Sequence, residues 1–120
     1  MDDIRDRLAE ITGPEPADAE RALLVRLLTS YTTKTPPGLD RLAVAVAAQD
    51  VEAVRDQAHA LKGSAANVGV STVSHLCGTL EDAARAGAVD GGKAMVDDIR
   101  AAYAQAAPVC VALAAELTAQ

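Results

Sequence analysis

The chain has no tryptophan and no phenylalanine, and aromatic residues make up 2% of its 120 residues. That shortage disfavours a sheet core, which draws on aromatic and β-branched side chains. Cysteine is scarce too: Cys77 and Cys110 stand alone with no metal-type spacing, and both fall in helical apolar patterns as small reduced core residues. Basic residues are outnumbered, 11 against 17 acidic for a net charge of −6, and form no local run. A phosphate-backbone binder needs clustered Lys and Arg, so nucleic acid is not expected as a partner. No apolar run approaches membrane-span length, so no membrane partner is expected. The start, Met1-Asp2-Asp3-Ile4-Arg5, lacks the basic and apolar regions of a signal peptide, which points to the cytoplasm.

What is abundant is alanine, leucine and valine. Half of the chain is hydrophobic and 23% is charged, a recipe for one close-packed helical domain over residues 1–120. The apolar period is helical almost throughout. A short helix is expected over Asp3 to Ile11, ended by Gly13-Pro14-Glu15-Pro16. A second starts at an Asp18 cap and runs to about Thr33. Thr35-Pro36-Pro37 then breaks the chain and opens a third, ending at Ala48. Asp50 caps a fourth that ends near Asn67, with Gly69 in the left-handed C-terminal slot. Ser71 caps a fifth that ends at Ala86-Gly87. Gly91-Gly92 reads as a hinge before a last helix from Lys93 to Leu117, which Pro108 kinks or splits. Short connections make consecutive helices antiparallel. The expected fold is all-α: an antiparallel up-and-down four-helix bundle over 36–118, covered by additional short N-terminal helices over 1–35.

One helix carries chemistry. Val51, Val54, Ala58, Leu61, Ala65 and Val68 form a core seam with coiled-coil spacing. At about 100° per residue, His59 falls on the opposite, outward side, in a strip with Glu52, Arg55, Asp56, Lys62, Gly63 and Ala66. A glycine in mid-helix costs about 1 kcal/mol relative to alanine, so Gly63 calls for a compensating role. Clearance is one: with no side chain there, another molecule can approach the imidazole. Lys62 places a point charge where an anion on the ring would sit. The bland reading is a surface His, a surface Lys and an incidental Gly.

In an antiparallel hairpin turning near Gly69-Val70, His59 and Glu81 lie at the same height. Glu81, at the rim of the next helix's apolar face, can accept from one ring nitrogen, fix the tautomer and leave the other as a nucleophile. A solvated Glu81, or one paired with Arg85 at i+4, remains the alternative. Asp56 is a weaker rival for orienting the ring. His75 faces outward without comparable company.

Taken in order, Ala58-His59-Ala60-Leu61-Lys62-Gly63-Ser64-Ala65-Ala66-Asn67-Val68-Gly69, then Leu76-Cys77, Leu80-Glu81 and Ala84-Arg85-Ala86-Gly87, resembles the histidine-containing phosphotransfer (HPt) domain family. The strong stretch is Ala58 to Gly87, and the helical layout extends the likeness over nearly the whole chain. The resemblance implies that His59 is phosphorylated, that Lys62 contacts the phosphoryl group, that Gly63 and Ala66 leave access for the partner and that Glu81 orients the ring. It implies partners as well: response-regulator receiver domains, or a histidine kinase. The chain would be a monomeric carrier rather than an enzyme, with no metal or cofactor of its own, and the partner receiver would supply Mg²⁺ and the aspartate. The family often has aromatics ahead of the motif, where this chain has leucines and Tyr31; Pro108 is a second departure. The rival reading is an adaptor that docks receivers without carrying phosphate. A His59/Glu81 hydrolase lacks a water-excluding pocket, and a metal site lacks a second strong ligand at i+4 of His59.

Overall fold

A computed structural model describes residues 2–119, and no strand occurs among them. Five helices follow in order: α1 (Ile4–Thr12), α2 (Asp18–Ala47), α3 (Val51–Asn67), α4 (Ser71–Arg85) and α5 (Gly92–Thr118). α2 packs beside α3 and α5, and α4 completes the ring by packing on the same two. Along α2 and α5, Val46 meets Gly92, Asp40 meets Arg100 and Tyr31 meets Tyr103, so the two helices run antiparallel. The interior is aliphatic, with Leu28, Leu39, Leu42, Val54, Leu80 and Ile99 fully buried. Cys77 and Cys110 are free and buried in it, and burial pushes their thiols up to about 12 and about 11.

The expected break at Thr35-Pro36-Pro37 does not occur. Two expected helices are one, and α2 carries both prolines inside it. The expected boundary between residues 35 and 36 therefore lies within a helix, and Leu24 and Leu28 share a core with Leu39 and Leu42. One short helix, α1, stands where several were expected. The physical reason is a long-range donor. Proline at 36 leaves the Thr32 carbonyl without its helical N–H. The Tyr103 hydroxyl from α5 donates to that carbonyl at 3.0 Å. Proline 37 frees the Thr33 carbonyl on an exposed side of the helix, where water can serve it. Both proline rings are exposed, and the Thr35 hydroxyl reinforces the preceding turn by donating to the Tyr31 carbonyl at 2.5 Å. At about 1.5 Å per residue, α2 is about 45 Å long. It thus spans the whole molecule, which measures 47 × 21 × 20 Å.

Other boundaries shift for similar reasons. Asp18 is the first residue of α2 rather than its cap and pairs with Arg21; the Glu20 carboxylate accepts from the Ala17 N–H instead. Ser71 likewise opens α4 without capping it. That duty falls to Asp2, far away in sequence, whose carboxylate accepts the Thr72 N–H at 2.9 Å. Asp50 caps α3 as expected, accepting from Ala53. Gly91-Gly92 is no open hinge: Gly92 is buried, and a Cβ there would stand 2.8 Å from a Val46 methyl. Pro108 does not split α5. α5 also corrects the expectation about apolar length, since it is long and apolar enough to cross a membrane. One face of it, with Val96, Ile99, Ala106, Cys110 and Leu113, is buried in the core.

α1 docks on the turn between α3 and α4. Gly69 has φ +79°, and a Cβ there would lie 2.6 Å from the Asp3 carbonyl oxygen. The Asp3 N–H donates to the Gly69 carbonyl, and the Arg7 guanidinium donates to the Asn67 carbonyl. These contacts fix the hairpin that sets α3 against α4.

The Tyr103 hydroxyl gives a direct test. Tyr103→Phe leaves the Thr32 carbonyl unserved and is expected to cost about 1 kcal/mol by urea denaturation. In a Pro36→Ala background the helical N–H returns, and the same substitution is expected to cost less.

Candidate functional site

The site is built on the α3–α4 hairpin. The α3 seam is buried at Val54, Ala58, Leu61 and Ala65, which turns His59 outward with its side chain 65% exposed. On α4, Val73, Cys77, Leu80 and Ala84 face the core. Glu81 was expected at the rim of that face. It lies deeper: its side chain is 2% exposed, and it is the one buried charged residue among those described. The reason is the company it keeps. Lys62 Nζ lies 2.6 Å from Oε1, as an ion pair without hydrogen-bond alignment. Arg85 donates to Oε2 at 2.7 Å from one turn on. His59 Nδ1 reaches the same Oε2 at 2.9 Å.

Three groups that can carry positive charge therefore converge on one carboxylate. Lys62, then Arg85, hold Glu81 down to about 2 against burial, which alone would raise it; the His59 hydrogen bond adds to their effect. An ionised carboxylate only accepts, so the proton of the ring sits on Nδ1 and the lone pair on Nε2. Nε2 has no hydrogen-bond partner among the described residues. The two readings left open for Glu81 thus hold at once: it contacts His59, and it pairs with Arg85.

The remaining expected residues fall into place around this centre. Gly63 and Ala66 are exposed on the outward strip of α3. A Cβ on Gly63 would meet nothing within 4 Å, so packing within the chain does not demand a glycine there. Asp56 pairs with Arg55 rather than with the ring. His75 is exposed, and its side chain has no partner among the described residues. Arg85 was noticed in the sequence as a competitor and proves to be a member of the cluster; its i+4 spacing from Glu81 was the available signal. Gly78 went unnoticed. A Cβ there would press on the Lys62 stem at 3.3 Å, so this glycine lets the lysine lie across α4 toward Glu81. Among the described residues no group of three or more His, Cys, Asp and Glu is placed to hold a metal ion.

An outward imidazole with one nitrogen tied to a buried carboxylate and the other left free, beside a surface cleared by glycine, marks a helical domain built to present a histidine. The Hpt domain family matches residues 26–109, and the chain belongs to that family, the phosphotransfer modules of two-component signalling. Among solved structures, the crystal structure of histidine-containing phosphotransfer protein B (HptB) from Pseudomonas aeruginosa PAO1 is similar, with a TM-score of 0.74 and 24% identity. The match covers 100% of this chain and 95% of that one. None of the curated proteins compared matches.

The cluster has a pH signature. Glu81 titrates at 4.5 when unperturbed and at about 2 in the folded chain, so its pairing stabilises the fold above pH 4.5 and fades as pH falls toward 2. Urea midpoints measured across that window are expected to decline in the wild type. In Glu81→Gln, which has no carboxylate to protonate, the decline is expected to be shallower.

Proposed function

We propose that the chain is a phosphorelay carrier that takes a phosphoryl group onto His59 from a receiver-domain aspartate or a kinase and passes it to another receiver. The observation that carries this reading is the 2.9 Å contact between His59 Nδ1 and Glu81 Oε2 on a ring that is otherwise exposed. In the transfer, the Nε2 lone pair forms the bond to phosphorus while the phosphorus–oxygen bond to the aspartate breaks and its electron pair returns to the carboxylate. The ring gains positive charge as the N–P bond forms, and Glu81 faces that charge through Nδ1–H. Phosphoryl transfer runs through a loose transition state, so aim and charge neutralisation are the protein's share. Lys62, a flexible point charge, swings from Glu81 Oε1 toward the phosphoryl oxygens while Arg85 keeps Glu81 paired.

The finer features follow from the same reading. The ring of α2, α3, α4 and α5 acts as an antiparallel four-helix bundle capped by α1, working as a cytoplasmic monomer without nucleic acid or membrane. The chain is a carrier and not a complete enzyme. Mg²⁺ and the reacting aspartate come from the receiver.

Two sets of variants test this. With a phosphorylated receiver and Mg²⁺, wild type is expected to acquire acid-labile label and His59→Gln none; binding without label would leave the adaptor reading instead. Lys62→Ala is expected to slow labelling by about tenfold or more. It also removes the partner of Glu81 Oε1, so the melting temperature is expected to drop. Gly63→Ala meets open space and is expected to stabilise the helix by about 0.5–1 kcal/mol. Gly63→Gln is expected to block labelling by the receiver while leaving labelling by phosphoramidate, a small donor, intact. Normal receiver labelling in that variant would refute the clearance role.

A further inference from the structure

The basic residues of this acidic chain are unevenly employed. All of them pair with a carboxylate except Arg26, Lys34 and Arg41, and those three share α2. Lys34 and Arg41 are seven residues apart, which puts them on one face of the helix about 10 Å from each other. They line a cleft of about 250 Å³ between α2 and α3, along with Gln57, Ser64 and Asn67. No Asp or Glu among the described residues lines it, in a chain with 17 of them. Both cations are exposed and have no ion-pair or hydrogen-bond partner among the described residues.

The cleft adjoins the histidine. Ala60 and Ser64, which follow His59 and Gly63, line it. Its height is fixed by Gly38: a Cβ there would touch Leu61 and Gln57, the residues two positions either side of His59. Lys34 and Arg41 therefore straddle the level of the imidazole on the neighbouring helix. The sequence shows no basic cluster because helical spacing spreads it over seven positions.

Resting on the phosphocarrier reading, we propose that the α2–α3 cleft is a docking surface for the receiver domain, with Lys34 and Arg41 binding acidic side chains beside its phosphoacceptor pocket. The partner's chemistry supplies the complement. A receiver presents an aspartate and further acidic groups that hold Mg²⁺, and a domain placing that pocket over His59 also reaches the adjacent helix. Two unpaired cations attract those groups during approach, and the polar floor of the cleft gives them hydrogen-bond partners. Charge of this kind acts on encounter and register rather than on the bond-making step.

The test uses the full chain, a receiver domain that labels the wild type and phosphoramidate as a receiver-independent donor. Lys34→Glu/Arg41→Glu is expected to raise the receiver concentration needed for half-maximal labelling by about tenfold and to flatten the fall in rate with added NaCl. Its labelling by phosphoramidate, circular dichroism and melting temperature are expected to match wild type, and Lys34→Gln/Arg41→Gln is expected to fall between. Wild-type receiver kinetics in the charge-reversed variant overturn the proposal alone. So does equal loss of phosphoramidate labelling in the variant, which would place the two cations in the chemistry. A wild-type dimer that the variant loses in gel filtration would assign the cleft to a second copy and also overturn it. Failure of phosphoramidate to label wild-type His59 overturns the carrier reading and this proposal with it.

Discussion

The Glu81 carboxylate is the centre on which the rest of the site depends. A lone ionised carboxylate is costly to bury, and neutralisation by protonation would be the usual outcome. Here Lys62 and Arg85 keep it charged, and the charged form is the one that can accept from His59 Nδ1. The arrangement is asymmetric in exposure. The acid is buried, while its partners are between 38% and 65% exposed at the side chain. A fixed anion below and mobile cations above give an imidazole that is held from beneath and approachable from outside.

That geometry needs α3 and α4 to keep one register over the length of a hairpin. α1 contributes to it from a distance in sequence, through Asp3 on the Gly69 turn, Arg7 on the end of α3 and Asp2 on the start of α4. The three mid-molecule helical glycines then serve three spatial needs. Gly92 admits α5 against Val46, Gly78 admits the Lys62 stem, and Gly63 meets nothing inside the chain. The last is the one whose cost is not repaid by packing, which is why it reads as a provision for a partner.

Much of this was legible before any coordinates. The α3 seam alone put His59 outward, and the position of the turn put Glu81 at its height; both rest on local periodicity and a short connection, which sequence carries well. The family relation was legible from the motif itself. What escaped depended on distant partners. Pro36-Pro37 looked like a break because the Tyr103 hydroxyl that serves Thr32 lies on another helix. Ser71 looked like a cap because Asp2, which does the capping, is 70 positions away. Glu81 looked like a rim residue because its depth follows from two cations converging on it, one of them reaching over Gly78. The cleft at Lys34 and Arg41 was invisible for the same reason, since linear spacing hides what one helical face collects.

The buried thiols have a practical corollary. Cys77 and Cys110 are sealed in an aliphatic interior, and their raised proton affinities leave almost no thiolate near neutrality. Maleimide dyes would therefore pass over the native chain. A single cysteine introduced on the outer strip of α3 would be the sole point of attachment, giving a fluorescent reporter beside the imidazole without first stripping the interior of its own sulfur.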